Sequence, residues 1–119
     1  MNQLADLHTH TTFSDGILSP TELFTKAKEV GLSAIAITDH DTMDGYLASI
    51  HIAEELGIQL VPGIELSCYE NARDYHLLGF FQDPDNPNLK KNLELFRHER
   101  EKRAERIVSK LNRQNVDVN

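Results

Sequence analysis

Four histidines and two carboxylates in the first 80 residues of this chain are of the types that bind metal ions together. The histidines follow or lie within short apolar segments, and the carboxylates lie in the loop after the first segment and in "VPGIELS". The six residues are His8, His10, Asp15, His40, Glu65 and His76. Imidazole nitrogens combined with carboxylate oxygens favour Zn, Mn or Fe, whereas an all-oxygen set would favour Mg or Ca. We therefore expect these residues to hold two or three divalent ions.

Neighbouring divalent ions would supply the chemistry of phosphate ester hydrolysis. Ions that share a carboxylate such as Glu65 generate hydroxide from bound water and stabilise negative charge on a phosphoryl group. The sequence therefore predicts a hydrolase that acts through a metal-bound hydroxide and needs no protein nucleophile. Asp15 and His40 would contribute to catalysis through the metal, and the sequence identifies no general acid.

The histidines are expected at or near strand ends. "LADLHTH" predicts a first strand, and the alternation of side chains along it places His8 and His10 on the same face. Residues 33–40, "SAIAITDH", predict a second strand that is buried on both faces of a parallel sheet. The third strand, "IQLVPGIELSCYE", is expected to break at its Pro-Gly pair, and "DYHLLGFF" is expected to form a hairpin with its second half.

Three helices are expected to connect and follow these strands. The segment 19–31, "SPTELFTKAKEVG", has a capping box at its start and a glycine at its end. A second helix is expected within "DTMDGYLASIHIAEELG", and a long charged helix from residue 88 to about residue 115. The apolar positions expected on the buried side of the first helix are Leu23, Ala27 and Val30.

Other residues of the metal-binding types are assigned to supporting or structural roles. Asp39 and Asp41 flank His40 in "TDHD" and are expected to orient ligands or cap backbone groups. His51 lies on a helix and His98 lies within "RHEREKR", so both are expected on the surface. Cys68 is expected to be a small buried apolar residue.

Charge is distributed unevenly along the chain. The net charge is -7, with three Lys or Arg against fourteen Asp or Glu in residues 1–87 and nine against five in residues 88–119. The acidic part suits a cation site, and the basic helix could attract RNA or DNA phosphates. Glutamates interleave with the cations at helical spacing, however, which favours ordinary ion pairing on a surface helix.

The sequence has no signal for secretion or membrane insertion. The N-terminus has no basic region followed by an apolar stretch, and no apolar run is long enough to span a bilayer. A single cysteine agrees with a reducing compartment. We therefore expect a cytoplasmic protein that does not associate with membranes.

Four motifs in this chain resemble the first motifs of the PHP (polymerase and histidinol phosphatase) superfamily. They are "DLHTHTTFSDG", "AITDHDT", "VPGIELS" and "HLLGF", and the resemblance covers residues 5–81. It implies an α/β fold, namely the N-terminal part of a PHP-type distorted (β/α)7 TIM-like barrel, followed by a long helix that begins an inserted helical region. It also implies a boundary between the N-terminal half of a PHP domain, residues 1–83, and a linker with the charged helix, residues 84–119.

The resemblance is strongest to the stand-alone phosphoesterases of the superfamily. These act on nucleoside 3',5'-bisphosphates and on the 5' ends of short RNA, so phosphorylated nucleotides or short nucleic acids are the implied substrates. By the same resemblance His8, His10 and Glu65 would hold one metal ion, Glu65 and His76 a second, and Asp15 and His40 a third.

One departure from the family pattern affects what the chain can do by itself. The later histidine motif and the closing Asp-x-His motif of the superfamily have no counterpart after residue 81. We therefore expect these residues to be the N-terminal portion of a longer protein and to be inactive alone. An open sheet edge would then favour self-association.

Two other functions agree with the same motifs. The first is a non-catalytic PHP module of a DNA polymerase, in which bound metal stabilises the fold. The second is a histidinol phosphate phosphatase, which uses the same chemistry.

Overall fold

The computed structural model describes residues 3–118, which form four strands and three helices. The strands are β1 (Leu4–Thr9), β2 (Leu32–Ile37), β3 (Gln59–Glu70) and β4 (Arg73–Phe80). The helices are α1 (Pro20–Glu29), α2 (Asp44–Leu56) and α3 (Pro87–Arg113). The chain divides into two compact units, one ending at Pro84 and the other beginning at Asp85. The expected order β-α-β-α-β-β, followed by a long helix, is confirmed.

The four strands form one sheet in the order β1-β2-β3-β4. The first two pairs are parallel, and the third pair, β3 with β4, is antiparallel. The helices α1 and α2 make the two crossover connections that parallel neighbours require. Because β1, β2 and the first half of β3 run in the same direction, their carboxyl ends lie at the same edge of the sheet.

The core of this unit lies between the sheet and the helices α1 and α2. Its buried side chains are Phe24, Ala27, Ile35, Ile37, Ala53 and Ile58. Full burial of one large apolar side chain stabilises the fold by about 1.5–3 kcal/mol. The continuous apolar run of β2 therefore anchors the strand whose end leads to His40.

Helix α1 begins where the sequence predicts, and two of its three expected core positions hold: Ala27 is buried and Leu23 packs against the core. The capping box is present, since the backbone N–H of Glu22 donates to the Ser19 hydroxyl and the Glu22 carboxylate accepts from the Ser19 backbone. The prediction that Val30 faces the core is wrong: its side chain is 55% exposed, and Phe24 is fully buried instead. Val30 is already the C-cap, and the chain turns away at Gly31, which has a φ of +78°.

The predicted break in the third strand is also wrong. Strand β3 continues through Pro62 and Gly63, and only its pairing partner changes there. Pro62 is the last residue paired with β2, and Gly63 is the first paired with β4. Proline has no backbone N–H to donate to a ladder, so it fits a point where the strand changes from one neighbour to the other.

Strands β3 and β4 form the predicted hairpin through a two-residue turn. Glu70 pairs with Arg73, and the intervening Asn71 and Ala72 have φ values of 50° and 60°. Positive φ at both central residues is typical of a type I′ turn, whose twist matches the flanking strands. This turn fixes the register of the hairpin that carries His76.

The second unit is the single long helix α3. Asn86 caps it by accepting from the backbone N–H groups of Asn88 and Leu89. The helix buries no residue, and Lys102 forms an ion pair with Glu99 on its surface. Among the helices in residues 3–118, none has the length and hydropathy needed to cross a bilayer.

Candidate metal centre

The predicted ligands come together where β1 and β2 end, beside the middle of β3 and strand β4. His8 lies in β1 and His10 directly follows it, whereas His40 lies three residues after the end of β2. His40 forms an isolated parallel bridge with Glu65 in the middle of β3. The remaining histidine, His76, is supplied by β4.

Glu65 lies at the centre of the cluster. The residue is only 3% exposed, and its carboxylate meets imidazole nitrogens on both oxygens. Oε2 lies 3.0 Å from Nε2 of His8 and 2.9 Å from Nε2 of His10. It also lies 3.9 Å from Nε2 of His40, and Oε1 lies 2.8 Å from Nδ1 of His76. One buried carboxylate is therefore shared by all four histidines of the cluster.

Asp15 forms a second, more exposed carboxylate position. Its Oδ1 lies 3.2 Å from Nδ1 of His10, and its Oδ2 lies 3.4 Å from Nε2 of His40. His10 therefore directs one ring nitrogen to each carboxylate, Nδ1 to Asp15 and Nε2 to Glu65. The two carboxylates are linked through this imidazole.

Three overlapping groups in the cluster have the geometry of metal-binding sites. They are His8–His10–Glu65, His10–Asp15–His40 and His40–Glu65–His76. Within each group the potential ligand atoms lie within 4.8 Å of one another. All six residues predicted from the sequence belong to these groups. The set His8–His10–Glu65 is the same as expected, whereas the expected pairs Asp15–His40 and Glu65–His76 are joined here by His10 and His40.

The charge state of Glu65 suits a cation site. Burial raises the pKa of this carboxyl group, but the hydrogen bond from His8 and the charges of His40, His8 and His10 outweigh that effect. The net result is a pKa below the ordinary value for glutamate. Glu65 therefore remains a carboxylate, with lone pairs available to a cation.

The donor set fits divalent metal ions of the Mn, Fe and Zn class. The ring centroids of His8 and His10 are 5.2 Å apart, those of His10 and His40 4.8 Å, and those of His40 and His76 4.9 Å. An imidazole ring nitrogen can present a lone pair to a metal ion. Such lone pairs beside carboxylate oxygens form the mixed N/O environment that these metals prefer.

The structure also locates the residues that were assigned other roles. Asp39 and Asp41 are buried, hydrogen-bond to neighbouring segments and belong to none of the three groups in residues 3–118. His51 and His98 are on the surface, each beside a glutamate one turn along its helix. The prediction for Cys68 is wrong, because it lies on the exposed part of the hairpin.

Sequence reasoning missed several residues that shape the centre. The Thr11 backbone and hydroxyl and the Ser14 hydroxyl all donate to the Asp39 carboxylate. Gly45 packs so closely against Asp39 that a Cβ there would overlap Oδ2. The hydroxyl-rich loop "THTTFSDG" was a signal for such contacts, but nothing in the sequence paired it with Asp39.

Comparison with known proteins establishes the family. The sequence profile of the PHP domain matches residues 6–115. The chain belongs to the PHP domain family. This agrees with the resemblance of its four motifs, and the match includes most of α3 as well as the sheet.

Characterised PHP relatives include enzymes that act on RNA and on nucleotides. The chain is 39% identical over 116 residues to a 5'-3' exoribonuclease of Haemophilus influenzae, covering 98% of this chain and 42% of that protein. It is 34% identical over 106 residues to a 3',5'-nucleoside bisphosphate phosphatase of Chromobacterium violaceum, covering 89% of this chain and 37% of that protein. An error-prone DNA polymerase of Mycobacterium tuberculosis is 39% identical over 87 residues, covering 71% of this chain and 8% of the polymerase.

Solved PHP-like structures match the fold. A Bifidobacterium adolescentis protein solved as a candidate metal-dependent phosphoesterase has 35% identity and a TM-score of 0.86, covering 93% of this chain and 39% of that protein. A Chromobacterium violaceum amidohydrolase structure has 32% identity and a TM-score of 0.88, covering 96% and 40%. The expected fold, the N-terminal part of a PHP-type barrel, is confirmed, and the chain spans about two fifths of these relatives.

Proposed function

We propose that the protein carrying this chain is a metal-dependent phosphoesterase that hydrolyses phosphate esters of nucleotides or short oligonucleotides. In this proposal the six clustered residues hold two or three divalent ions of Mn, Zn or Fe. The ligands are His8, His10, Asp15, His40, Glu65 and His76. Residues 1–83 would form the first half of the catalytic barrel, and residues 84–119 would open a helical insertion.

The observation that carries this proposal is the convergence of four imidazoles on one buried carboxylate. Glu65 is held inside the sheet edge with nitrogens of His8, His10 and His76 within 3.0 Å of its oxygens. A carboxylate so placed would be able to serve two metal ions, and Asp15 with His40 would offer a further position beside it. Two adjacent ions are the arrangement that phosphoester hydrolysis uses in many enzymes.

The bound ions would lower the pKa of a water molecule and neutralise charge on the phosphoryl group. The side chains of this chain would position the ions and leave access for the substrate. Glu65, buried and ionised, would hold the metal positions together, because it contacts His8, His40 and His76 from three different strands or strand ends. Asp15 is largely exposed, which leaves its side of the cluster open to substrate.

Similarity to the exoribonuclease and the bisphosphate phosphatase supports nucleotides as the substrate class. Both alignments extend into α3, whereas the alignment with the polymerase covers fewer residues. The polymerase relative supports a second candidate function, a PHP module that binds metal without hydrolysing a substrate. We favour the enzyme, because its relatives match nearly the whole chain.

Two further features belong to this proposal. A cytoplasmic location fits the single cysteine, Cys68, which needs no oxidising compartment. Self-association fits the edge position of β1, whose Leu4 and Leu7 side chains are exposed in this chain. Size-exclusion chromatography of the chain tests the second feature directly.

The experiment that tests the proposed function is a hydrolysis assay of the full-length gene product with Mn²⁺. The substrates are a nucleoside 3',5'-bisphosphate, a 5'-phosphorylated oligoribonucleotide and histidinol phosphate, with phosphate release and strand shortening as readouts. We expect turnover of one or both nucleotide substrates and none of histidinol phosphate. Metal binding without turnover of any of the three would favour the non-catalytic module.

A matched pair of variants assigns the activity to the cluster. Glu65→Gln keeps the shape of the side chain but removes its charge, whereas Glu70→Gln makes the same change on the exposed end of the same strand. Loss of a residue that supports a metal ligand already costs about 10- to 100-fold in affinity or activity. We expect Glu65→Gln to exceed that loss and Glu70→Gln to retain full activity.

A further inference from the structure

The two aspartates on either side of His40 hold different parts of the candidate metal centre. Both are buried, and neither carboxylate belongs to the metal-binding groups found in residues 3–118. Their hydrogen bonds run in different directions, Asp39 to the loop after β1 and Asp41 to strand β3. Burying a charged carboxylate costs free energy, and hydrogen bonds to its oxygens offset that cost.

Asp39 organises the loop that presents Asp15. Its Oδ1 accepts from the Thr11 backbone N–H at 2.7 Å and from the Ser14 hydroxyl at 2.6 Å, and its Oδ2 accepts from the Thr11 hydroxyl at 2.6 Å. The Thr11 carbonyl in turn accepts from the backbone N–H groups of Ser14 and Gly16, each at 3.0 Å. Asp15 therefore lies between two residues that Asp39 holds directly or through Thr11.

Helix α2 closes the other side of the Asp39 carboxylate. Gly45 lies in its first turn, and a Cβ at this position would overlap Oδ2 of Asp39 and lie 2.8 Å from the Thr11 hydroxyl. The start of a helix also carries partial positive charge, which stabilises a carboxylate beside it. Asp39 is thus confined between the loop and the helix and has little freedom to shift.

Asp41 holds the strand that carries Glu65. Its backbone has a φ of 54°, and its Oδ1 accepts from the backbone N–H of Ser67 at 2.9 Å. Its own N–H donates to the Glu65 carbonyl at 3.0 Å. Ser67 is the register partner of His76 across the hairpin. Asp41 therefore bonds to β3 at Ser67, which is two residues from Glu65 and opposite His76. Those two ligands complete the group with His40.

We propose that Asp39 and Asp41 are positioning residues with separate targets. Asp39 fixes the group His10–Asp15–His40, and Asp41 fixes the group His40–Glu65–His76. The "TDHD" motif then acts as a two-sided clamp, in which His40 is the shared ligand and each flanking aspartate secures one side. This inference rests on the proposed function, because the groups matter to activity only if they bind metal.

Graded variants separate this role from general damage to the fold. Asp39→Ala removes all three accepted bonds, and Thr11→Val is a milder version that removes only the hydroxyl bonds. Asp41→Ala removes the acceptor for the Ser67 N–H. Asp41→Asn keeps an acceptor oxygen and tolerates positive φ, so it should retain the hydrogen bond and behave like the wild type. Asp44→Asn, which removes an exposed carboxylate three residues further on, is the control.

Amide hydrogen exchange in the metal-free full-length protein tests the clamp without relying on metal. We expect Asp39→Ala to speed exchange at the Ser14 and Gly16 amides at least about tenfold, because the loop that holds them loses its hydrogen bonds to a charged group. The Ser67 amide should exchange at an unchanged rate. Asp41→Ala should do the reverse. Equal acceleration at all three amides by either variant, or no acceleration by either, would overturn the proposal.

Titration with Mn²⁺ gives the second readout. Each alanine variant should raise the Kd of one ion about 10- to 100-fold, and the Asp41→Asn and control proteins should bind normally. Adding Asp15→Ala to Asp39→Ala should weaken the binding of no second ion, whereas adding it to Asp41→Ala should. A further loss in the first pair would contradict the separate targets. If the wild type binds no Mn²⁺, the proposed function fails, and the exchange result alone decides the clamp.

Discussion

Oε1 of Glu65 lies 2.8 Å from Nδ1 of His76 across the β3–β4 hairpin. His76 is paired in register with Ser67, two residues beyond Glu65, so the contact is diagonal on one face of the sheet. Diagonal neighbours of this kind are within reach of long side chains. A slip of one residue would turn His76 to the opposite face, so the hairpin turn determines whether the cluster is complete.

The turn itself can be improved. Asn71 and Ala72 both adopt positive φ, which costs an alanine about 1–2 kcal/mol relative to glycine. We predict that Ala72→Gly, which creates the favoured Asn-Gly turn, stabilises the protein by about 1 kcal/mol. Urea unfolding of the two proteins measures this difference. Destabilisation by Ala72→Gly would show that the strain is not relieved there.

Gly45 should tolerate no side chain. Because a Cβ at this position would overlap the Asp39 carboxylate, we predict that Gly45→Ala destabilises the fold by about 1–3 kcal/mol, the usual cost of overpacking. It should also weaken metal binding through the displaced Asp39. Gly31→Ala is the comparison, since a Cβ there meets no atom within 4 Å and only the positive φ opposes it. Normal metal affinity in Gly45→Ala would contradict the close packing.

The capping box of α1 predicts a pH dependence. Hydrogen bonds from Ser19 lower the pKa of Glu22 below its ordinary value of 4.5. A carboxyl group whose pKa is lower in the folded state stabilises the fold above its unfolded pKa and loses that contribution as the pH falls through the folded pKa. The difference in unfolding midpoint between wild type and Glu22→Gln should therefore be largest near neutral pH and vanish in acid. A difference independent of pH would contradict this.

Removal of metal should destabilise the folded protein. A ligand that binds only the native state at 100 times its Kd stabilises it by about 2.7 kcal/mol. We predict that a chelator lowers the thermal midpoint of the wild type and that added Mn²⁺ restores it. In Glu65→Gln both shifts should be clearly smaller, because two of the three candidate groups include Glu65. Equal shifts in the two proteins would place the metal away from Glu65.

Local sequence patterns were sufficient where one short segment determines the structure. The spacing of His8 and His10 fixes their common face, because side chains alternate along a strand. The capping box of α1 and the hairpin of β3 with β4 are likewise local, and both are present. The grouping of His8, His10 and His40 follows from strand ends, because strands of a βαβ unit bring their carboxyl ends to one edge. His76 lies within the antiparallel strand β4, and only its position relative to "GIE" adds it to the set.

Contacts between distant segments were beyond the same reasoning. The burial of Phe24 in place of Val30 depends on where α1 ends against the sheet. Pro62 predicts a break because proline has no backbone N–H to donate. The sequence does not show that β3 continues through it and only changes its pairing partner. The bonds from Thr11 and Ser14 to Asp39 join residues 25 to 28 positions apart, and their pairing exists only in the folded sheet.

The most direct test of the central claim is the metal content of the purified protein, measured by elemental mass spectrometry beside a His8→Ala, His10→Ala double variant. Both imidazoles lie within 3.0 Å of the Glu65 carboxylate, and His10 also contacts Asp15. We predict near-stoichiometric Mn, Fe or Zn in the wild type and a sharp fall in the variant. Equal metal content in the two proteins, or none in the wild type after exposure to these ions, would contradict a metal centre at this cluster.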